Sequence, residues 1–206
     1  ELITRLASAQ GLRCVCIEST LDHLVALTRE MGHQFGFEAR ALPLADIHTG
    51  EPECEWDAAQ LPRELREADL LITTVFHAGQ LRPVAEALGK PLVVITAHPE
   101  LVAAVEGRLR EGELTVVCVD REFGERVLGI CEERYRERVR IVLAEDAESV
   151  AKLDAAEPVL LTRAALQRLG RADLRLIVPF SPSFSPLSAR ALAEALVRLN
   201  LEAARA

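Results

Sequence analysis

The chain alternates short apolar runs with longer amphipathic stretches. The apolar runs have the length of strands and lie at residues 12–18, 37–44, 69–74, 91–97, 114–120, 139–144, 158–162 and 174–180. The stretches between them have the spacing of helices and begin near Thr20, Trp56, His77, Pro99, Arg121, Ala147, Ala164 and Pro186. This alternation predicts an α/β protein in which parallel strands are flanked by helices.

Two pairs of these runs repeat between the halves of the chain. Residues 12–18 and 114–120 share their hydrophobic pattern, a cysteine in the same position and an acid at the end. Residues 68–74 and 156–162 form the second pair, and each belongs to the third strand of its half. The repeat predicts two similar lobes, each a mostly parallel sheet flanked by helices, with a cleft between them. The alternative is a parallel-sheet protein that reuses the same strand composition by chance.

The predicted domain boundaries follow from this repeat. Residues 1–11 are expected to form a linker or connecting helix, residues 12–98 the first lobe, and residues 99–181 the second lobe. Residues 182–206 start with a turn-rich stretch and continue as a helix from Pro186, which suits the first turn of a helix. The helix is expected to pack back on the first lobe through its apolar residues Leu187, Leu192, Ala195, Leu196 and Leu199.

Composition narrows the class of protein. The 206 residues are 50% hydrophobic and 27% charged, which is typical of a globular chain. No apolar run approaches the roughly 20 residues of a membrane span, so we expect no membrane association. The net charge of −8 disfavours contact with the phosphate backbone of nucleic acids, which is bound mainly by clustered Lys and Arg.

Cysteine usage predicts a reducing compartment. The chain has no paired CxxC spacing that would indicate a zinc or redox site, and its five cysteines are Cys14, Cys16, Cys54, Cys118 and Cys131. We expect reduced thiols in a cytoplasmic protein, with the cysteines inside apolar runs acting as small hydrophobic residues. Cys16 and Cys118 each lie two residues before a predicted strand end, which disfavours proton transfer by a pair of thiols in a ligand cleft.

The loops after the strands are the expected ligand site, because ligands of open α/β sheets bind beyond the carboxyl ends of the strands. Hydroxyl groups at helix N-termini can hydrogen-bond carboxylate or phosphate oxygens there, and the helix dipole favours the negative charge. The alternative is that each Ser or Thr merely caps the helix that follows it. The predicted ligand-binding residues are Ser19, Thr20, Thr73, Thr74, His77, Thr96, Asp120, Arg121, Thr162, Arg163 and Ser181.

Two of these residues have alternatives of their own. His77 follows Thr74 by three residues at the start of a predicted helix, where it either hydrogen-bonds a ligand or caps and packs locally. Arg163 directly follows Thr162 and either pairs with an anionic ligand or forms an exposed salt bridge with an acid such as Asp120.

The chain lacks the common catalytic motifs. GxSxG, GxGxxG, GxxxxGK[ST] and HExxH are all absent, so we predict no catalytic residue, no metal site and no cofactor. A bilobal α/β enzyme, such as a lyase, synthase or isomerase, is the alternative. His77, Glu18 and Asp120 would be its acid–base candidates.

One segment carries a resemblance to a known group. Residues 68–77, with the sequence ADLLITTVFH, resemble the acidic-apolar strand ending in Thr-Thr and an aromatic-His pair of the effector-binding domain that follows a GntR-type winged helix-turn-helix in some bacterial regulators. The strand pattern on both sides of the segment is similar too, so the likeness spans most of the chain. The resemblance implies a periplasmic-binding-protein-like cleft, a homodimer, and DNA binding through a separate N-terminal domain that these 206 residues do not contain.

The functional hypothesis combines these points. A small effector, expected to be anionic, binds between the two lobes, and the change is transmitted to the separate DNA-binding domain. The chain on this hypothesis is a sensor and not an enzyme. A purely structural interaction domain without a cleft is a third possibility.

Overall fold

The computed structural model describes residues 11–47, 59–171 and 173–205. Residues 1–10 of the expected linker and residues 48–58 lie outside these ranges. The second segment contains Cys54 and the predicted helix start near Trp56. Backbone contacts divide the described residues into two units. The first holds residues 11–19, 27–47, 59–96 and 184–205, and the second holds residues 20–26, 97–171 and 173–183.

Seven strands and eight α-helices alternate along the described ranges. The strands are β1 (Cys14–Glu18), β2 (Arg40–Pro43), β3 (Leu70–Thr74), β4 (Leu92–Ile95), β5 (Leu114–Cys118), β6 (Val139–Leu143) and β7 (Val159–Leu161). The helices are α1 (Leu21–Glu30), α2 (Arg63–Glu67), α3 (Ala78–Ala87), α4 (Pro99–Glu111), α5 (Arg121–Ile130), α6 (Ala147–Ala151), α7 (Arg163–Leu169) and α8 (Pro186–Ala203). A π-helical turn follows α1 at Met31–Phe35, and 3-10 turns lie at Leu44–Asp46 and Glu133–Arg138.

The first unit is built on a four-stranded parallel sheet in the order β2-β1-β3-β4. Both central strands are buried along their whole length, so each is apolar on both faces. Alternate residues of β1 enter different cores, because successive side chains of a strand point to opposite faces. Cys14 and Cys16 pack in one core with Leu192 of α8, whereas Val15 and Ile17 pack in the other.

The second unit is built on a three-stranded parallel sheet in the order β6-β5-β7. The first strand of the unit, β5, is again central, with the next strand on one side and the third strand on the other. The first three strands of each half therefore follow the same order, as the sequence repeat predicts. The predicted fold class, α/β with two units that each carry a parallel sheet and flanking helices, is confirmed.

The predicted eighth strand at residues 174–180 is wrong. Leu176 forms a single bridge to Val159, with hydrogen bonds on either side of it, and the segment then bends. Pro179 has no N–H to donate to a sheet, and the residues that follow Leu174 are exposed or half-buried. The apolar run 174–180 therefore packs against the sheet edge without extending it.

The C-terminal helix α8 packs on the sheet of the first unit. Leu192, Ala195 and Leu196 are buried in the core that contains Cys14, and Leu199 packs against that core. Leu187 is an error among the predicted core residues, because it is 80% exposed. It lies about 140° around the helix from Leu192 at 3.6 residues per turn. In the described residues no helix, α8 included, combines the length and the apolar content that a membrane crossing requires.

Candidate functional site

The carboxyl ends of β1 and β3 form a topological switch point in the first unit. From β1 the chain crosses to β2 on one side, and β3 lies on the other side of β1. Connections that leave two neighbouring strands in opposite directions open a crevice at the carboxyl ends, which is where open α/β sheets bind ligands. Glu18 ends β1 and Thr74 ends β3, so these two residues mark the crevice.

The carboxyl group of Glu18 ties the two strand ends together. It is fully buried, and its Oε1 accepts hydrogen bonds from the Thr74 backbone N–H at 2.8 Å and the Thr74 hydroxyl at 2.6 Å. The Thr73 hydroxyl lies 3.2 Å from the same oxygen and donates at 2.9 Å to the Ile17 carbonyl. A buried carboxylate with several donors fixes its surroundings, because each donor left without an acceptor would cost free energy.

His77 lies next to this network. Its Nε2 is 3.5 Å from Oε2 of Glu18, and its side chain is 11% exposed. The two residues before it have a different character, since Val75 is 51% exposed and Phe76 is 44% exposed. The switch point of the first unit thus combines a buried carboxyl–imidazole pair with exposed apolar side chains at its rim.

The second unit has the same switch point between β5 and β7, and a carboxyl group from the first turn of α1 lies in it. Asp22 is buried and accepts hydrogen bonds from the backbone N–H groups of Val119, at 3.1 Å, and Asp120, at 2.8 Å. The hydroxyl of Thr162, which caps α7, donates to Asp22 as well. In return, the Leu21 backbone N–H donates to the carboxylate of Asp120.

Burial raises the pKa of Asp22 above its ordinary value of 3.8. The hydrogen bonds from Thr162, Asp120 and Val119 act in the opposite direction, and the nearby charge of Asp120 adds a smaller increase. The effect of desolvation on the charged form outweighs that of the three donors. The second switch point therefore holds its own carboxyl group in a site shielded from water.

Two other predicted residues bond to neighbours of their own. Thr20 precedes α1, and its hydroxyl pairs with Nδ1 of His23 at 2.8 Å in the second unit. Thr96 follows β4, and its hydroxyl pairs with those of Ser185 at 2.6 Å and Ser188 at 3.0 Å in the first unit. Because Ser185 also caps α8, Thr96 connects the end of β4 to the start of the C-terminal helix.

The remaining predicted residues lie at the ends of elements. Ser19 is half-buried after β1, and Ser181 is half-buried in the turn-rich stretch before α8. Arg121 is exposed at the first position of α5. The half-buried Arg163 begins α7, and its guanidinium carbon lies 5.0 Å from the ring centroid of Phe180. A cation–π contact is therefore part of its environment, which the sequence did not indicate.

Some of the predicted residues lie together because they bond to Glu18 or to Asp22, neither of which was in the predicted ligand set. Thr73, Thr74 and His77 meet around Glu18, which the sequence offered only as an acid–base candidate. Thr162 and the backbone of Asp120 meet around Asp22, which no motif singled out. The only local signal at Asp22 is an acid in the first turn of a helix, which is common there because of the helix dipole.

The thiols of Cys14, Cys16 and Cys118 are poor nucleophiles, because burial keeps them protonated. Cys14, Cys16 and Cys118 are buried, as predicted. Burial raises the pKa of Cys14 and of Cys118 to about 12, and it raises that of Cys16 as well. Cys118 is the last residue of β5 and not two residues before its end, but it is fully buried, so the thiol form persists at neutral pH.

Metal ligands do not cluster within the described ranges, where no group of three or more His, Cys, Asp or Glu side chains is arranged to hold a metal ion.

Comparison with known proteins adds little to this geometry. No protein-family model matches the chain. No curated protein matches it either. Among solved structures, the chain is similar to ornithine carbamoyltransferase from Thermus thermophilus, with a TM-score of 0.30 and 14% sequence identity over 97% of this chain and 91% of that chain. A likeness of this size identifies neither a fold family nor an activity.

Proposed function

We propose that the chain is the effector-sensing part of a bacterial transcription regulator, acting as a homodimer, and that it binds a small metabolite without converting it. The switch point of the first unit carries this proposal. There His77 lies next to the buried carboxyl group of Glu18, and the neighbouring Val75 and Phe76 are exposed to solvent. Polar groups that fix orientation, set beside apolar contact area, are typical of small-molecule sites.

The fixed hydrogen bonds around Glu18 favour recognition over chemistry. The Glu18 carboxyl group, at the end of β1, accepts hydrogen bonds from Thr73 and Thr74 at the end of β3. It therefore fixes the positions of the two strand ends relative to each other. A ligand that contacts His77, Val75 and Phe76 then meets a surface whose polar member is already oriented. Such preorganisation lowers the free-energy cost of binding, because fewer side chains lose freedom when the ligand arrives.

The sensing step needs only a difference in affinity. A ligand shifts the chain between two conformations to the extent that it binds one of them more tightly. In the proposed regulator, the favoured conformation repositions a separate DNA-binding domain. The coupling is a free energy between two sites and acts in both directions, so DNA that selects the same conformation also tightens effector binding.

Titration calorimetry and thermal shift against carboxylates, phosphates and sugars test effector binding. We expect at least one saturable binder, and a loss of affinity of about tenfold in His77→Gln, since one buried hydrogen bond contributes on the order of 1.4 kcal/mol. His98→Gln is the matched control, because His98 caps α4 in the second unit and accepts a hydrogen bond from the Glu100 N–H. A panel without any saturable binder would contradict the proposal.

The link to transcription has a separate test. The reading frame upstream of the codon for Glu1 is expected to encode a winged helix-turn-helix. A start codon immediately before Glu1 would contradict the regulator class while leaving effector binding intact.

An enzyme is the second candidate function, and the His77–Glu18 pair favours it. A carboxylate that orients an imidazole at 3.5 Å is an arrangement used by general bases. The test is NMR of each ligand found in the panel after prolonged incubation with the protein. Conversion of a ligand that His77→Gln abolishes would establish the enzyme, and unchanged ligand spectra favour the sensor.

A further inference from the structure

Three hydrogen-bond donors converge on one point at the switch point of the second unit. They are the backbone N–H groups of Val119 and Asp120 and the hydroxyl of Thr162. The two N–H groups precede the ten-residue helix α5, and the hydroxyl belongs to the cap of α7. N–H and hydroxyl donors between the end of a strand and the start of a helix are the groups that typically bind an anionic ligand.

All three donors are bonded to Asp22. Its Oδ2 lies 2.8 Å from the Asp120 nitrogen, both of its oxygens lie 3.1 Å from the Val119 nitrogen, and Oδ1 accepts from Thr162. The residue is 1% exposed, so water does not compete for these donors. The carboxyl group of the chain has the position and the contacts that the sequence predicted for the anionic group of an effector.

We propose that the second switch point is a carboxyl-binding site whose occupant is Asp22 of the same chain. An anionic effector is thereby excluded from it, and the first unit is left as the effector site. The assignment of the effector to the first unit rests on the proposed function, whereas the occupation of the second site by Asp22 does not.

The two switch points differ in where their carboxyl group comes from. Glu18 belongs to β1, one of the two strands that form its own switch point. Asp22 belongs to the first turn of α1, outside β5 and β7, and the Leu21 N–H next to it donates to Asp120. This pairing of a helix start with a strand end is reciprocal, since each side supplies one carboxylate and at least one N–H. The Asp22 side chain therefore occupies the second switch point in the way that the carboxylate of a bound ligand would.

Chemical rescue tests the proposal. Asp22→Ala removes the carboxyl group and leaves three buried donors, so we expect the melting temperature to fall by roughly 4–10 °C. Formate matches the missing group in size. At constant pH and ionic strength, formate is expected to restore at least half of the loss with a saturable dependence on concentration, relative to chloride. Benzoate is too large for the space and is expected to have no effect.

Two control variants make the result specific. Asp146→Ala removes an exposed carboxylate that caps α6 through the Ser149 N–H, and formate is not expected to rescue it. Asp22→Asn fills the same space with an amide, so its melting temperature is expected not to respond to formate. If Asp22→Ala does not fold in chloride, the yield of soluble protein refolded from urea in formate replaces the melting temperature as the measurement.

The outcomes separate this proposal from the proposed function. A melting temperature of Asp22→Ala equal to that of the wild type, or equal responses to formate, benzoate and chloride, would overturn the occupied site. A loss of binding for a panel ligand in Asp22→Asn but not in His77→Gln would place the effector in the second unit. That result contradicts the inference and leaves effector sensing intact.

Discussion

The most informative residues of the chain are two buried carboxyl groups, Glu18 and Asp22. Each accepts hydrogen bonds from hydroxyl and N–H groups of residues that the sequence predicted to bind a ligand. Thr74 and Thr162 were correctly placed at strand ends, but their partners lie 56 and 140 residues away along the chain. Local patterns hold no information on partners at such distances, so the sequence predicts the position of a polar residue better than its role.

Thr74→Val tests the contribution of the first network to stability. Valine keeps the shape of threonine but removes the hydroxyl that donates to Glu18 at 2.6 Å. We expect a loss of about 1–3 kcal/mol in the free energy of unfolding, because a buried carboxyl group loses one of its donors. Urea unfolding measures it. Thr115→Val is the control, since its hydroxyl, which accepts from Arg140 at 3.2 Å, is part of a more exposed contact, and an equal loss there would contradict the role of Glu18.

The pH dependence of stability tests the environment of Asp22. Since burial raises its pKa, the folded protein holds this proton more tightly than the unfolded chain does. The stability that this contributes is fully present below the ordinary pKa of 3.8 and is lost as the pH rises through the raised value. Asp22→Asn cannot titrate. The free energy of unfolding of the wild type minus that of Asp22→Asn is therefore expected to fall with rising pH in urea titrations, and a rise would contradict it.

At the scale of elements, the sequence predicted eight strands, and seven of them are present in the described residues. The buried central strands β1, β3 and β5 were recognised because they are apolar on both faces. The apolar run at residues 174–180 has the same composition, but the neighbour that would have to accept it is a strand of three residues, β7. Apolar composition specifies burial, and a strand also needs a pairing partner and free N–H groups.

The packing of α5 on β6 depends on one glycine. A Cβ atom at Gly124 would lie 2.7 Å from Cγ2 of Ile141, so either the helix or the Ile141 side chain would have to shift. We expect Gly124→Ala to lower the free energy of unfolding by about 1–3 kcal/mol through overpacking. Gly129→Ala in the same helix has open space around it and is expected to stabilise the protein by roughly 0.4–1 kcal/mol. Equal changes in the two variants, measured by urea unfolding, would contradict this packing.

At the scale of the whole molecule, the doubled pattern of the sequence predicted the fold class, two units that each carry a parallel sheet flanked by helices. Both halves place their first strand between their second and third strands in a parallel sheet. This agrees with the two similar halves that the repeat of residues 12–18 in residues 114–120 predicted. What the repeat did not predict is the difference between the halves. Asp22 lies outside the repeated runs, and its hydrogen bonds with Val119 and Asp120, which belong to the same unit, became visible only in three dimensions.

The charge of the molecule carries the last prediction. With 32 acidic and 24 basic side chains, the chain repels a phosphate backbone, and many of its arginines are already paired with acids, as in Arg63–Glu67 and Arg190–Glu194. We expect no saturable binding of a labelled DNA duplex by fluorescence anisotropy even at low salt, where electrostatic attraction is strongest. If the chain is the sensing part of a regulator, the same duplex is expected to bind once the upstream segment is joined to it. Tight, salt-sensitive binding by these 206 residues alone would mean that they read DNA directly and would contradict the division into a sensing part and a separate DNA-binding domain.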